Sequence, residues 1–257
     1  MAYNLRPLWD AILALYGRFD AYCKEYGLRY YVTGGTLLGA VRHNGFIPWD
    51  DDFDVVMPRP DYIRFIECIR KAPIRNSRLV TMDTDPRWGQ YFAKLVETDC
   101  NVVDDVQRGT GLSVSDGICV DVIPIDGMPK ATIPFYFWAL KRSTWRHSTH
   151  KNPFWRVLLN LLWPKGSPEA FERWLASYDY DTSPCVEDYN ANGRRFKMRC
   201  LSAASFGEPI MHQFENINVP LPREWDKFLR CIFGGDYMTP PPQEAQVPSH
   251  QAIALKT

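Results

Sequence analysis

Thr33-Gly34-Gly35-Thr36-Leu37-Leu38-Gly39-Ala40-Val41-Arg42-His43-Asn44-Gly45-Phe46-Ile47-Pro48-Trp49-Asp50-Asp51-Asp52-Phe53-Asp54-Val55-Val56 is the stretch on which the reading of this chain turns. It joins a Gly-Gly turn, a basic step at Arg42-His43, and four carboxylates within five positions. Asp side chains packed this closely repel one another unless a cation or a partner offsets their charge. A Gly-Gly turn lets backbone N–H groups approach an anion closely. The combination suggests phosphate on one side and a divalent metal on the other.

On the N-terminal side of that run, Leu8, Ile12, Leu15, Phe19, Tyr22 and Tyr26 recur at three- and four-residue steps, which predicts a helix ending at Gly27. Arg29-Tyr30-Tyr31-Val32-Thr33 is aromatic and β-branched and reads as a strand. It enters Gly34-Gly35 directly, and Leu37 to Val41 starts a short helix, so the glycine pair sits on a strand-to-helix turn. Backbone N–H groups at such a turn suit a phosphate. On the C-terminal side, Asp52 to Met57 reads as a second strand stopped by Pro58 and Pro60, and Asp61 opens a helix carrying Ile63, Ile66 and Ile69. Gln90 to Val96, and Ile118 to Ile123 ending at Pro124, read as two more strands. This mixture predicts an α/β or α+β sheet domain over roughly the first half of the chain.

The second half differs in kind. From Gly127 to Pro168 there is no Asp or Glu, while Lys130, Lys141, Arg142, Arg146, Lys151, Arg156 and Lys165 are cationic and Trp138, Trp145, Trp155 and Trp163 stand among them. The segment 130–165 reads as helical; it suits an anionic membrane face or a glycan, and equally an ordinary helical layer with solvated charges. Ser167-Pro168-Glu169 is a helix start leading to Phe171, Trp174, Leu175 and Tyr178. Residues 181–218 read as irregular. A last helix follows Pro222, with Trp225, Phe228, Leu229 and Ile232 inward and Gly234-Gly235 as its stop, and the tail from Pro240 is proline-rich and polar.

The 257 residues suffice for a full core, and 46% hydrophobic with 14% aromatic content marks a globular chain. Zero formal net charge argues against wholesale nucleic-acid binding, which draws on a basic surplus, though a neutral total leaves room for a local basic patch. The seven cysteines are spread evenly without a Cys-x-x-Cys pair, which predicts reduced packing residues in a cytoplasmic protein and no zinc site. The first residues lack the apolar core of a signal peptide, and no apolar run approaches the ~20 residues of a membrane span, so a soluble or peripheral protein is expected.

On a strand, Asp52 and Asp54 would share a face about 7 Å apart and both reach one hard cation, with Asp51 on the opposite face. Asp50, following Pro48-Trp49, either joins the site or caps the turn. An acidic surface loop is the plain alternative, and the apolar flanks Ile47, Trp49, Phe53, Val55 and Val56 argue against it. An EF-hand fails because its sixth position is Val55 rather than Gly, and two prolines interrupt the loop. Asp121, mid-strand between Val120 and Val122, needs a partner: a metal shared with Asp52 and Asp54, or else the backbone or an Arg. Asp126, before Gly127, reads as a turn residue. Arg42, His43 and Lys94 are candidate phosphate contacts, His43 being equally a plain surface residue.

Together these residues resemble the LicD family, which includes bacterial phosphocholine transferases and, more distantly, fukutin-type sugar-phosphate transferases. The resemblance runs from Gly34-Gly35-Thr36-Leu37-Leu38-Gly39 through Arg42-His43 and Ile47-Pro48-Trp49-Asp50-Asp51-Asp52-Phe53-Asp54. It resumes at Cys119 to Gly127 and at Phe214-Glu215-Asn216, and closes at Gly234 to Met238 and Pro240-Pro241-Pro242. Phe53, Cys119 and Gly234 depart from the residues usual there, but no acidic position is touched.

The resemblance implies an α+β fold: a nucleotidyltransferase-like mixed β-sheet core with flanking helices and a helical, aromatic-rich C-terminal half. It implies one catalytic domain over residues 1–242, divided near 127 into a core and an acceptor-side elaboration, with a mobile tail at 243–257. By position, Asp52, Asp54 and Asp121 would hold Mg²⁺ or Mn²⁺, Gly34, Gly35 and Thr36 would meet the donor phosphates, and Asp50 is a further acid near the site. Lys94 or Arg42 would steady the transferred phosphoryl group. The implied donor is a CDP-alcohol, with CDP-choline favoured, and the acceptor a glycan or lipid-linked glycan precursor of lipopolysaccharide, teichoic acid or capsule. CMP would be released. That chemistry implies a cytoplasmic protein, in peripheral contact with the inner membrane surface if anywhere, with no nucleic-acid partner. The proton acceptor stays open among Asp121, Asp50 and the metal alone. Two other readings stay open as well: a nucleotidyltransferase moving NMP from an NTP with release of pyrophosphate, and a non-catalytic glycan- or membrane-binding module.

Overall fold

The computed structural model describes residues 4–85, 88, 90–110, 117–128, 173, 175–188 and 201–248; the basic aromatic segment 130–165 and the expected helix start at 167–169 lie outside them. Helix α1 (Arg6–Tyr26) follows from its apolar steps: Leu8, Ile12, Leu15 and Phe19 are fully buried, and Gly27 ends the helix in the left-handed conformation at φ +60. The short strand β1 (Tyr31–Val32) leads at once into α2 (Gly34–His43), which Asn44 closes at φ +53. Strand β2 (Asp54–Pro58) turns into α3 (Arg59–Lys71), whose first turn accommodates Pro60 because no intrahelical N–H is needed there. The inward face of α3 is Tyr62, Phe65 and Ile69; Ile63 is 42% exposed and is not part of it.

There follow β3 (Ser77–Val80), β4 (Ala93–Glu97), α4 (Cys100–Thr110), β5 (Cys119–Met128), β6 (Cys185–Asp188), α5 (Ala203–Phe206), β7 (Ile210–Phe214), β8 (Ile217–Leu221) and α6 (Trp225–Phe233). The main sheet has the order β1-β2-β5-β4-β3, and β6 continues beyond β4 alongside β5. Strands β2 and β5 are parallel and the other pairs antiparallel, which gives the mixed sheet of an α+β fold. Val55, Val120 and Val122 share one face and are fully buried. Helices α1 and α3 pack side by side, with Phe19 and Tyr22 edge-on to Phe65.

Strand β5 does not stop at Pro124 but runs on to Met128. The Asp121 N–H bonds the Phe53 carbonyl beside β2, so alternation turns the N–H side of position 124 to the other edge. There β4 has ended opposite Val122 and β6 begins opposite Ile125, and the donor that proline lacks falls in the gap. Asp126 is therefore a strand residue rather than a turn residue. It is fully buried and accepts hydrogen bonds from Arg59 Nε at 2.6 Å and Nη2 at 2.7 Å. A carboxylate so deeply placed persists because a bidentate guanidinium compensates it.

Residues 181–218 are not irregular throughout, since they hold β6, β7 and the start of β8. The hairpin is hard to read in sequence because Ile210 and Met211 point outward, 43% and 53% exposed, and break the expected alternation. Its Phe214, Val219 and Leu221 join the same core as Leu8, Phe46 and Phe53. The expectation of seven reduced thiols also fails: Cys23, Cys68, Cys100, Cys119 and Cys231 are free, but Cys185 is disulfide-bonded. A disulfide requires Cα atoms within about 7 Å, which spacing along the chain does not report. Among the described residues no helix is long and apolar enough to cross a membrane.

Candidate active site

One polar row crosses the sheet. Asp54 opens β2 directly opposite Asp121 on β5, and Asp121 is opposite Lys94 on β4. Directly opposed residues project to the same face, so strand register alone gathers these three side chains. Lys94 Nζ lies 3.3 Å from Asp121 Oδ1, with the two side chains 17% and 15% exposed. Lys94, expected from the sequence only as a phosphate contact, is thus one partner of Asp121. Burial pushes the Asp121 carboxyl up to about 6, with Lys94 opposing the rise and Asp52 adding to it. The Lys94 ammonium also sits 5.2 Å from the centroid of Trp88, whose indole N–H donates to the Phe92 carbonyl at 2.8 Å.

Asp52 lies ahead of β2, outside any strand, so strand alternation does not relate it to Asp54. Instead Asp50, Asp51 and Asp52 each place a carboxylate oxygen within 4.8 Å of the others. Asp51, expected on the far face, is part of that group and is 1% exposed. Burial, then the charge of Asp52, pushes the Asp50 carboxyl up to about 8. Three oxygen donors this close, one of them holding its proton near neutrality, fit a hard divalent cation such as Mg²⁺ or Mn²⁺, which would remove their mutual repulsion. Asp54 and Asp121 flank this trio in the strand row rather than belonging to it.

The glycine turn is built for these aspartates. Helix α2 begins at Gly34, not Leu37, so both glycines lie in its first turn. Gly34 has φ +55, and a Cβ there would stand 2.8 Å from Asp54 Oδ2. A Cβ on Gly35 would stand 2.5 Å from Asp50 Oδ2. Thr36 Oγ1 accepts the Asp54 N–H at 2.9 Å and so ties the helix to the strand that carries the acid. The neighbouring Thr33 hydroxyl, 2% exposed, has no hydrogen-bond partner among the described residues.

Arg42 and His43 stand at the other end of α2. Arg42 donates through Nη1 to the Tyr237 carbonyl at 3.0 Å and feels the charge of Asp50. Burial, and then Arg42, hold the His43 imidazole below its usual range, and His43 lies edge-on to Trp49 at 6.4 Å. His43 is therefore a neutral ring at neutral pH, and of this basic pair Arg42 carries the charge. Sequence reasoning passed over Trp9 altogether. Its indole N–H donates to the Asp50 carbonyl at 2.8 Å, and its place beside the apolar stripe of α1 was the available sign.

Residues 27–108 match the family model described as LicD/FKTN/FKRP, nucleotidyltransferase domain. The chain is 28% identical over 265 residues to the lipopolysaccharide cholinephosphotransferase LicD of Haemophilus influenzae, with 96% of each chain covered. It is also 53% identical over 38 residues to an uncharacterised protein of Rickettsia typhi, covering 15% of this chain and 12% of that one. An uncharacterised protein of Rickettsia prowazekii is 53% identical over 36 residues, 14% of each. The matched span contains the glycine turn, the aspartate trio, Asp54 and Lys94. Residues 27–108 are thus similar to the nucleotidyltransferase domain of the LicD family, and the chain over nearly its whole length is similar to a LicD protein.

Proposed function

We propose that this protein transfers a phospho-alcohol group, phosphocholine from CDP-choline, to a hydroxyl of a cell-surface glycan precursor, lipopolysaccharide in the first place, and releases CMP. The observation that carries the reading is similarity over 96% of both chains to a lipopolysaccharide cholinephosphotransferase. The acidic trio and the Asp54–Asp121–Lys94 row support it by supplying what phosphoryl transfer needs. A nucleotide-linked donor places the reaction in the cytoplasm, with a lipid-linked acceptor met at the membrane face.

The acceptor oxygen would attack the phosphorus that bears choline while the bond from that phosphorus to the CMP oxygen breaks. A divalent cation on the aspartate trio would neutralise negative charge on the diphosphate. Lys94, held between Asp121 and Trp88, presents a fixed ammonium to the transferred phosphoryl group. Arg42 offers a second cation. The hydroxyl proton would pass to Asp121, whose carboxyl, raised by burial to about 6, is ionised at physiological pH and can accept it.

The experiment is nucleotide release from a panel of CDP-alcohols and NTPs, with Mg²⁺ or Mn²⁺ and a glycan acceptor. CMP from CDP-choline, lost in Asp52→Ala, is the expected result. CMP from another CDP-alcohol would move the head group and keep the class. The family description favours one other reading, a nucleotidyltransferase that moves NMP from an NTP. Pyrophosphate in the same panel would replace the proposal with it.

A further inference from the structure

Glu215 occupies the first position of the two-residue turn between Phe214 on β7 and Ile217 on β8, at φ +52. Asn216 does not share the positive φ, and glycine ordinarily fills a hairpin position of this kind. A long side chain there is strained, and such strain persists where the side chain is needed.

The need is visible one loop away. Glu215 Oε1 accepts the Phe46 N–H at 3.3 Å across 169 positions of sequence, and the Glu215 N–H donates to the Asn44 carbonyl at 2.7 Å. Its second oxygen accepts from Arg6 Nη1 at 2.8 Å, which fixes the carboxylate from the first turn of α1. A Cβ on Gly45 would overlap the same carboxylate, so the glycine admits it. Phe46 is stacked on Trp9 with centroids 5.1 Å apart and lies edge-on to Phe214 at 4.9 Å. Trp9 in turn holds the Asp50 carbonyl. The loop from Asn44 to Asp50 is thus gripped at both ends by groups outside it.

We propose that Glu215 is a positioning residue for the aspartate trio: a latch that fixes residues 44–50 so that Asp50, Asp51 and Asp52 are already in place for a divalent cation. It touches neither metal nor donor and acts through the Phe46 backbone. The importance given to it rests on the reading of the trio under Proposed function. Were Glu215 there only to shape the hairpin, glycine would serve equally well at φ +52.

Glu215→Gly therefore tests the latch without opposing the turn, and Glu215→Gln keeps the oxygen that accepts from Phe46. Two readouts are taken: hydrogen exchange of peptides spanning residues 44–52, and Mn²⁺ affinity by calorimetry. Loss of a hydrogen bond to a charged group predicts, for Glu215→Gly, about tenfold faster exchange in 44–52 alone and about tenfold weaker Mn²⁺ binding. Glu215→Gln is expected to return both to within about threefold of wild type, since the accepting oxygen remains. Unchanged exchange over 44–52 in Glu215→Gly overturns the latch. Absence of Mn²⁺ binding by the wild-type protein overturns the reading of the trio, and the exchange result still decides the latch. If Glu215→Gly unfolds, Arg6→Ala supplies the comparison: faster exchange confined to 44–52 supports the latch, and no change overturns it.

Discussion

Gly35→Ala separates fold from chemistry, because alanine fits the backbone there but not the space beside Asp50. Gly35 is in the first turn of α2 without a positive φ, so alanine suits the backbone and contributes about 0.5–1 kcal/mol of helix stability. Its Cβ would stand 2.5 Å from Asp50 Oδ2 and 3.3 Å from Asp50 Cγ, about 1 Å inside ordinary van der Waals contact. The Asp50 backbone is held by Trp9, so the side chain alone has to move. A shift of about 1 Å in a reacting constellation costs on the order of 10²-fold in rate, or about 3 kcal/mol of barrier. We expect kcat/KM for CMP release from CDP-choline to fall about 100-fold, with Tm within about 4 °C of wild type. Gly34→Ala is the contrast, because its φ of +55 strains alanine, and Tm falls together with activity. A Gly35→Ala enzyme within threefold of wild-type kcat/KM would refute the claim that the glycine exists to admit Asp50.

Asp126→Asn breaks the buried pair with Arg59 and is expected to cost about 3–5 kcal/mol, read as a fall in Tm of roughly 6–20 °C. Lys94→Met removes the ammonium that opposes the rise of the Asp121 carboxyl; an activity profile shifted to higher pH, with kcat reduced, is expected from a pH titration of CMP release. The Asp50 and Asp121 carboxyls titrate at about 8 and about 6 when folded, against 3.8 as the ordinary value. Without metal the folded protein then binds more protons than the unfolded chain, and its stability falls as pH rises from about 4 to about 8. Thermal scans should show that fall, and Mn²⁺ should raise Tm more at pH 8 than at pH 5.5; an equal rise at both would count against the trio as the metal site.

Much of this was legible in the chain because it depends on local rules. The α1 stripe with its Gly27 stop, the strand-to-helix turn at Gly34 and the α6 helix after Pro222 each follow from periodicity and capping. The aspartates announced themselves by charge density. What stayed hidden depends on neighbours distant in sequence. Asp126 passes for a turn residue until Arg59 is seen beside it, and Pro124 passes for a strand end until the gap between β4 and β6 is seen. The pairing of Lys94 with Asp121 is a matter of strand register, which composition does not carry. Glu215 stands in a motif that gives it no role, since a charged residue in a hairpin turn declares nothing until its φ and its target are known.

The site is also assembled from pieces that meet late. Asp54 reaches Asp121 only after the parallel β2–β5 crossover has closed, and Phe46 meets Glu215 across 169 positions. Such non-local contacts slow folding, because the loop-closure entropy is lost before the contacts form. During synthesis the glycine turn and all four clustered aspartates emerge well before β5 and the hairpin that hold them in place. A nascent chain at that stage exposes unpaired strands beside a dense negative charge, and counter-ions or a chaperone are what would keep it from misassembling. A fragment limited to residues 27–108 would be frozen at that stage, carrying the acids without Asp121 or Glu215.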